Sequence, residues 1–98
     1  MLVHSVYFWL KPELTPQQRE KFRAALESLR DIPVIQEMHI GIPSPTDRPV
    51  VDRTYSVALT VLLKDMEGHD AYQIHPLHKA FVTDFSSYWL KVVIYDAQ

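Results

Sequence analysis

Residues 55–63 read YSVALTVLL, and this stretch decides the fold. It is rich in β-branched and other apolar residues, which predicts a β-strand. Apolar side chains occupy both sets of alternating positions, whereas a strand with one solvated face alternates apolar with polar residues. The segment is therefore predicted to belong to a sheet that is covered on both faces.

Other segments extend this sheet. Val3–Leu10 and Trp89–Tyr95 are also apolar on both faces, and each predicts a strand. A more moderate alternation over Val34–Ile42 predicts the fourth strand. One face of the first strand carries four side chains of interest: His4, Val6, Phe8 and Leu10.

Two helical regions separate the strands. Thr15 followed by Pro16 is typical of a helix start, and an apolar stripe follows it. Met66–Ile74 predicts a short helix, and His75 with Pro76 begins another, so the second region is broken near His75. The order β-α-β-β-α-β predicts an α+β, ferredoxin-like protomer with helices on one face of a four-stranded antiparallel sheet.

The uncovered face of this sheet predicts a partner. The helices of one 98-residue chain cannot cover both faces of such a sheet. An apolar face left in water is unfavourable, and a second copy of the same chain is the commonest cover. We therefore expect a homodimer.

Composition narrows the class of protein. The 98 residues are 47% hydrophobic and 22% charged, which indicates one globular domain spanning residues 1–98. A net charge of −2 provides no basic surface for phosphates, so nucleic acid is not expected as a partner. No apolar run approaches the roughly 18 residues that span a membrane, and Met1–Leu10 lacks the basic start of a signal peptide. We expect a cytoplasmic protein with no membrane partner.

The candidate chemistry lies between residues 71 and 81. Tyr72, His75 and His78 place a phenol and two imidazoles at a helix junction. Imidazole titrates near neutral pH and can exchange a proton there, while a phenol can donate a hydrogen bond to an enolate oxygen. His4 reaches the same region if its strand face meets the helices. Such polar groups beside apolar residues are typical of a small-ligand pocket.

Two other interpretations stay open. In a purely structural one, His75 caps the helix that begins at Pro76, and Tyr72 and His78 are hydrogen-bonded core residues. In the other, His4, His75 and His78 supply three nitrogen ligands to a metal. The intervening proline and the lack of a nearby carboxylate argue against the metal, and none is expected. The remaining histidines, His39 and His69, are predicted to face solvent without partners.

The same region also carries a sequence signature. Tyr72, His75, Pro76 and His78 form the pattern Y-x-x-H-P-x-H, and weaker matches run from His4 to the C-terminal strand. With this pattern the chain resembles the stress-responsive dimeric α/β-barrel family. The resemblance implies a ferredoxin-like protomer and a dimer whose two sheets face each other to form a barrel.

The resemblance also implies roles for residues. Most members have no assigned activity, but one branch contains plant polyketide cyclases that use neither cofactor nor metal. By that resemblance His78 is the general base and Tyr72 holds the substrate carbonyl oxygen. This chain lacks that branch's third-strand histidine near Ser56, so the substrate is not carried over. The other implied pocket residues are His4, Phe8, Leu26, Trp89 and Val92. We also expect His75 of the signature to contact the ligand.

Three functional hypotheses follow from these observations. The first is a homodimeric protein that binds a small apolar carbonyl or aromatic ligand. The second is a cofactor-independent cyclase or isomerase in which His78 removes a proton beside a carbonyl. The third is a non-catalytic structural stress protein, in which the same histidines only stabilise the fold.

Overall fold

The computed structural model describes residues 1–98 and contains four strands and three helices. The two predicted helical regions are present, and the second is divided into two helices at His75, whose backbone is extended. The elements in chain order are β1 (Leu2–Leu10), α1 (Pro16–Ser28), β2 (Glu37–Gly41), β3 (Val57–Leu63), α2 (Met66–Ile74), α3 (Pro76–Phe85) and β4 (Trp89–Ala97).

The strands form one sheet in the order β2-β3-β1-β4, and every neighbouring pair is antiparallel. All three helices pack on one face of it, which confirms the predicted α+β, ferredoxin-like protomer. None of the helices is long and apolar enough to cross a bilayer.

Local sequence explains where the helices begin. The Thr15 hydroxyl accepts a hydrogen bond from the backbone N–H of Gln18, and the Gln18 side chain accepts one from the backbone N–H of Thr15. This reciprocal cap satisfies two helix N-terminal donors, and Pro16 fits the first turn without losing a hydrogen bond. Asp65 caps α2 through the backbone N–H of Gly68.

The strand ends differ from the prediction in several places, and β3 begins at Val57 instead of Tyr55. The second strand begins at Glu37 instead of Val34, because Ile35 donates its backbone N–H to Ile32 in a turn. The last strand continues past Tyr95 to Ala97, because β1 is long enough to pair with it there. This added length places Asp96 directly opposite His4.

A β-bulge between β1 and β4 sets which residues face the helices. Leu10 pairs with Trp89 and Trp9 pairs with Lys91, so Leu90 has no partner and is exposed. The extra residue reverses the alternation at this point. Trp89 and Val92 therefore share the helical face, although an odd spacing separates them. Simple alternation along β4 would put Leu90 on the face of Val92, and the bulge leaves it exposed instead.

The core lies between this face and the helices. It consists of buried apolar side chains from β1, β2, β3 and all three helices, with Phe22 of α1 fully buried. Its aromatic rings pack mainly edge to face or tilted. This arrangement is favourable because the positive edge of one ring meets the negative face of another.

Candidate functional site

A cavity of about 200 Å³ lies between the sheet and the helices α2 and α3. Its wall is mostly apolar, with a polar end formed by His4, Tyr72, Gln73 and His78. Val92 and Ile94 of the edge strand β4 also line it, yet they are 37% and 49% exposed. The cavity is therefore open along β4, which gives a ligand a way in.

Tyr72 is the central polar residue of the cavity. Only 1% of its surface is exposed, and its ring lies 5.5 Å from the His4 ring and 4.8 Å from the His78 ring, centroid to centroid. Burial raises the pKa of its phenol, so the hydroxyl keeps its proton at neutral pH. The Tyr72 hydroxyl makes no hydrogen bond within the protein, and since no fully buried polar side-chain atom lacks a partner, its oxygen is open to the cavity. The hydroxyl is thus a free hydrogen-bond donor facing the cavity.

His78 lies beside Tyr72 on α3 and is half-buried. Burial lowers its pKa, and the charges that His4 and His69 can carry lower it further. A backbone hydrogen bond with Gln73 raises the same pKa but does not reverse the net direction. At neutral pH His78 is therefore an uncharged imidazole, the form that can accept a proton.

A cluster of polar side chains, formed by His4, His69 and Asp96, adjoins the polar end of the cavity. Besides Tyr72, His4 is the one buried residue with a polar side chain, and its Nδ1 donates a 2.5 Å hydrogen bond to Oδ1 of Asp96. His69 approaches the other carboxylate oxygen, with Nε2 3.4 Å from Oδ2. The two imidazole rings are 5.4 Å apart. Asp96 therefore stands between two histidines at the edge of the cavity.

These contacts correct two sequence predictions. His69 does not face solvent without partners, because α2 turns it toward β4, where it meets Asp96 and the His4 ring. The histidines near the cavity also do not lack a carboxylate, since Asp96 supplies one. The spacing contained a signal for both: Asp96 shares its strand face with Val92 and Ile94, and His69 precedes Tyr72 by three residues on one helix.

Other predicted site residues divide into two groups. Phe8, Trp89 and Val92 line the cavity, as do His4, Tyr72 and His78. Leu26 and His75 do not line it. Leu26 of α1 is fully buried in the core. His75 accepts the backbone N–H of Leu77 at its Nδ1, and it is therefore the cap of α3.

Some lining residues were not predicted. Gln73 belongs to the polar end, and Leu29, Phe81 and Val82 complete the apolar wall. Their sequence positions indicate only apolar helix faces, and nothing local distinguishes a cavity wall from a filled core. The path of the helices over the sheet decides that difference.

Known proteins are similar to this chain in sequence and in fold. The sequence model of the stress responsive A/B barrel domain family matches residues 2–98. Olivetolic acid cyclase from Cannabis sativa is 26% identical over 94 residues, which are 95% of this chain and 91% of the cyclase.

Solved structures share the fold. A dimeric ferredoxin-like protein of unknown function from Thermobifida fusca is 26% identical, with a TM-score of 0.80 over 98% of this chain and 88% of that one. Hydroxynitrile lyase from Passiflora edulis is 20% identical, with a TM-score of 0.81 over 98% of this chain and 90% of that one. Enzymes and proteins without a known activity thus occur on this one fold.

Proposed function

The chain belongs to the stress responsive A/B barrel family, and from that premise we propose that it is a homodimer whose cavities each bind a small, largely apolar carbonyl compound. We further propose that the bound compound exchanges a proton with His78 at the carbon next to its carbonyl group. One observation carries the proposal: the free Tyr72 hydroxyl lies beside the uncharged His78 imidazole at the polar end of an apolar cavity.

The cavity supports a ligand of limited size. A cavity of about 150 Å³ lined by apolar side chains is known to hold benzene, and this cavity measures about 200 Å³. A single ring with a carbonyl substituent, or an open chain of similar volume, fits that space. The aromatic wall formed by Phe8, Phe81 and Trp89 favours such a compound over a charged one.

The polar end supports proton transfer. A ligand carbonyl oxygen beside Tyr72 would accept the hydroxyl hydrogen bond, which strengthens as negative charge develops on that oxygen. The carbon next to the carbonyl then lies toward His78, whose lowered pKa keeps it ready to accept a proton. Both residues act in the protonation state that their burial already favours.

The dimer rests on a different part of the molecule. Tyr7, Trp9, Tyr55 and Tyr95 lie on the sheet face that no helix covers, and their rings contact one another. A second copy packed on this face would bury them. The Thermobifida fusca relative, which has the same fold, is a dimer.

Deuterium exchange tests the chemistry without knowledge of the natural substrate. The protein is incubated in heavy water with a panel of aryl ketones and β-diketones, and NMR follows loss of the hydrogen next to the carbonyl. A general base contributes roughly 10²–10⁴-fold, so His78→Gln should lose at least about 100-fold of the exchange rate. Tyr72→Phe should also exchange slowly, because it lacks the donor.

The control variant is His39→Gln, which removes an exposed histidine on β2, away from the cavity. It should exchange at the rate of the unaltered protein. Exchange that survives in His78→Gln contradicts the base. If a compound raises the melting temperature but its hydrogen is not exchanged, the protein binds the compound without catalysing proton transfer. If no compound in the panel has either effect, the result favours a purely structural role.

A further inference from the structure

The cluster of His4, His69 and Asp96 points to a second site at the cavity edge. We propose that these three residues bind a zinc ion, at one site in each protomer. The proposal is independent of proton transfer by His78, since it uses none of the groups that perform it.

The donor set fits zinc. Two imidazole nitrogens and a carboxylate oxygen are a common set of three protein ligands, and a fourth position stays open for water or another ligand. The candidate ligand atoms of the three residues all lie within 4.8 Å of one another. No thiolate or third histidine is needed for a site of this type.

The ligand atoms lie up to 4.8 Å apart, so they have to draw together to bind one ion. With zinc–ligand bonds of about 2.0–2.1 Å, tetrahedral ligand atoms lie about 3.3 Å apart. Nε2 of His69 and Oδ2 of Asp96 are already 3.4 Å apart. Nδ1 of His4 and Oδ1 of Asp96 are 2.5 Å apart, because they share a hydrogen-bonded proton. Zinc takes the place of that proton, His4 then carries its proton on Nε2, and the two atoms separate by under about 1 Å.

The surroundings also favour an ion. A metal-bound histidine usually donates its other ring N–H to a carboxylate, which orients the ring. Nδ1 of His69 lies 3.2 Å from Oδ1 of Asp70, as that arrangement requires. His4 is 2% exposed and is paired within β1 to a strand on each side, so one ligand is held rigidly by the sheet. His69 on α2 and Asp96 on β4 come from two further elements, which would tie the edge strand to the helix.

Zinc titration of the untagged protein, first treated with a chelator, tests the site. Isothermal calorimetry should give one zinc ion per protomer, and cobalt should give a visible absorption band. His69→Gln and Asp96→Asn each remove a ligand, so each should lose more affinity than the roughly 10–100-fold that an outer partner contributes. Asp70→Asn should lose about that smaller amount.

His39→Gln is the matched control, since it removes an exposed histidine and leaves the cluster intact. Circular dichroism without zinc establishes that each variant is folded, and His4 is left unchanged because it is buried. Absence of binding by the unaltered protein up to millimolar zinc overturns the proposal, whatever the variants do. Full affinity in His69→Gln, or equal loss in His39→Gln, also overturns it. The readouts contain no carbonyl compound, so they are independent of the exchange assay.

Discussion

The two faces of the sheet use the same strands in different ways. On the covered face, Val6, Phe8 and Leu10 of β1 are buried beneath the helices. On the open face, Tyr7 and Trp9 are only half-buried, and the Lys91 ammonium lies 4.5 Å from the centre of the Trp9 ring. The covered face has its chemistry in one cavity between the sheet and the helices, whereas the open face has an aromatic surface with polar groups among its rings.

The difference shows what each face is suited to do. A cavity walled by apolar groups lowers the local polarity and shifts pKa values, as it does for Tyr72 and His78. The open face does not enclose its polar groups, and its Trp9 indole donates to the Thr54 hydroxyl at the surface. Chemistry is therefore expected on the covered face and association on the open one, and three experiments can break or sharpen that contrast.

The largest effect is expected from the covered face. Phe22→Ala should lower the free energy of unfolding by about 3–5 kcal/mol, because it removes a fully buried ring and leaves a cavity. Its ring lies 5.2 Å from that of Phe8 and 5.6 Å from that of Phe81, so both lose packing. Urea denaturation at one fixed protein concentration measures the change.

Val50→Ala is the control for that experiment, since Val50 is 78% exposed. Its free energy of unfolding should stay within about 0.5 kcal/mol of the unaltered protein. Equal losses in the two variants would mean that α1 does not hold the core together.

An intermediate effect is expected from the open face. Tyr7→Asp puts a charge at the centre of the proposed interface, which should cost about 3 kcal/mol of association and raise the dissociation constant about 100-fold. Sedimentation should then show folded monomers. Lys79→Glu on the exposed surface of α3 is the control and should stay dimeric. A Tyr7→Asp protein that remains a dimer would place the interface elsewhere.

The smallest effect is a pH dependence from the covered face. The unfolded chain restores the pKa of His78 to about 6.5, whereas the fold lowers it, so the unfolded state binds the proton more tightly. Stability is therefore unaffected by this group above about pH 6.5 and falls as the pH drops through the window below it. His4, His69 and Tyr72 are the titratable groups that face His78.

Melting temperatures of the unaltered protein and His78→Gln from about pH 7.5 to 5 measure this contribution. The variant should lose less stability on acidification, because it lacks the group that takes up the proton. His39→Gln should follow the unaltered protein. Parallel curves for His78→Gln and the unaltered protein would mean that His78 titrates normally in the folded state.

Much of the candidate site was predictable because it is local. Tyr72 and His78 lie within one short segment, and the alternation of side chains along β1 correctly put His4 and Phe8 on the helical side. The roles of these residues in binding or catalysis stay predictions. Leu26 and His75 could not be separated from lining residues by sequence, since an apolar helix face and a helix cap look the same with or without a cavity beside them.

The sequence by itself determined the strands, the helices and their order, because alternation, helical spacing, caps and prolines act over a few residues. It also determined that both faces of the sheet are apolar. The tertiary structure alone decided that Asp96 meets His4 and His69, because this contact joins residues 92 positions apart through the register of two strands. The cavity likewise depends on how two helices lie across the sheet. No short stretch of sequence fixes the distance between these helices and the strands beneath them.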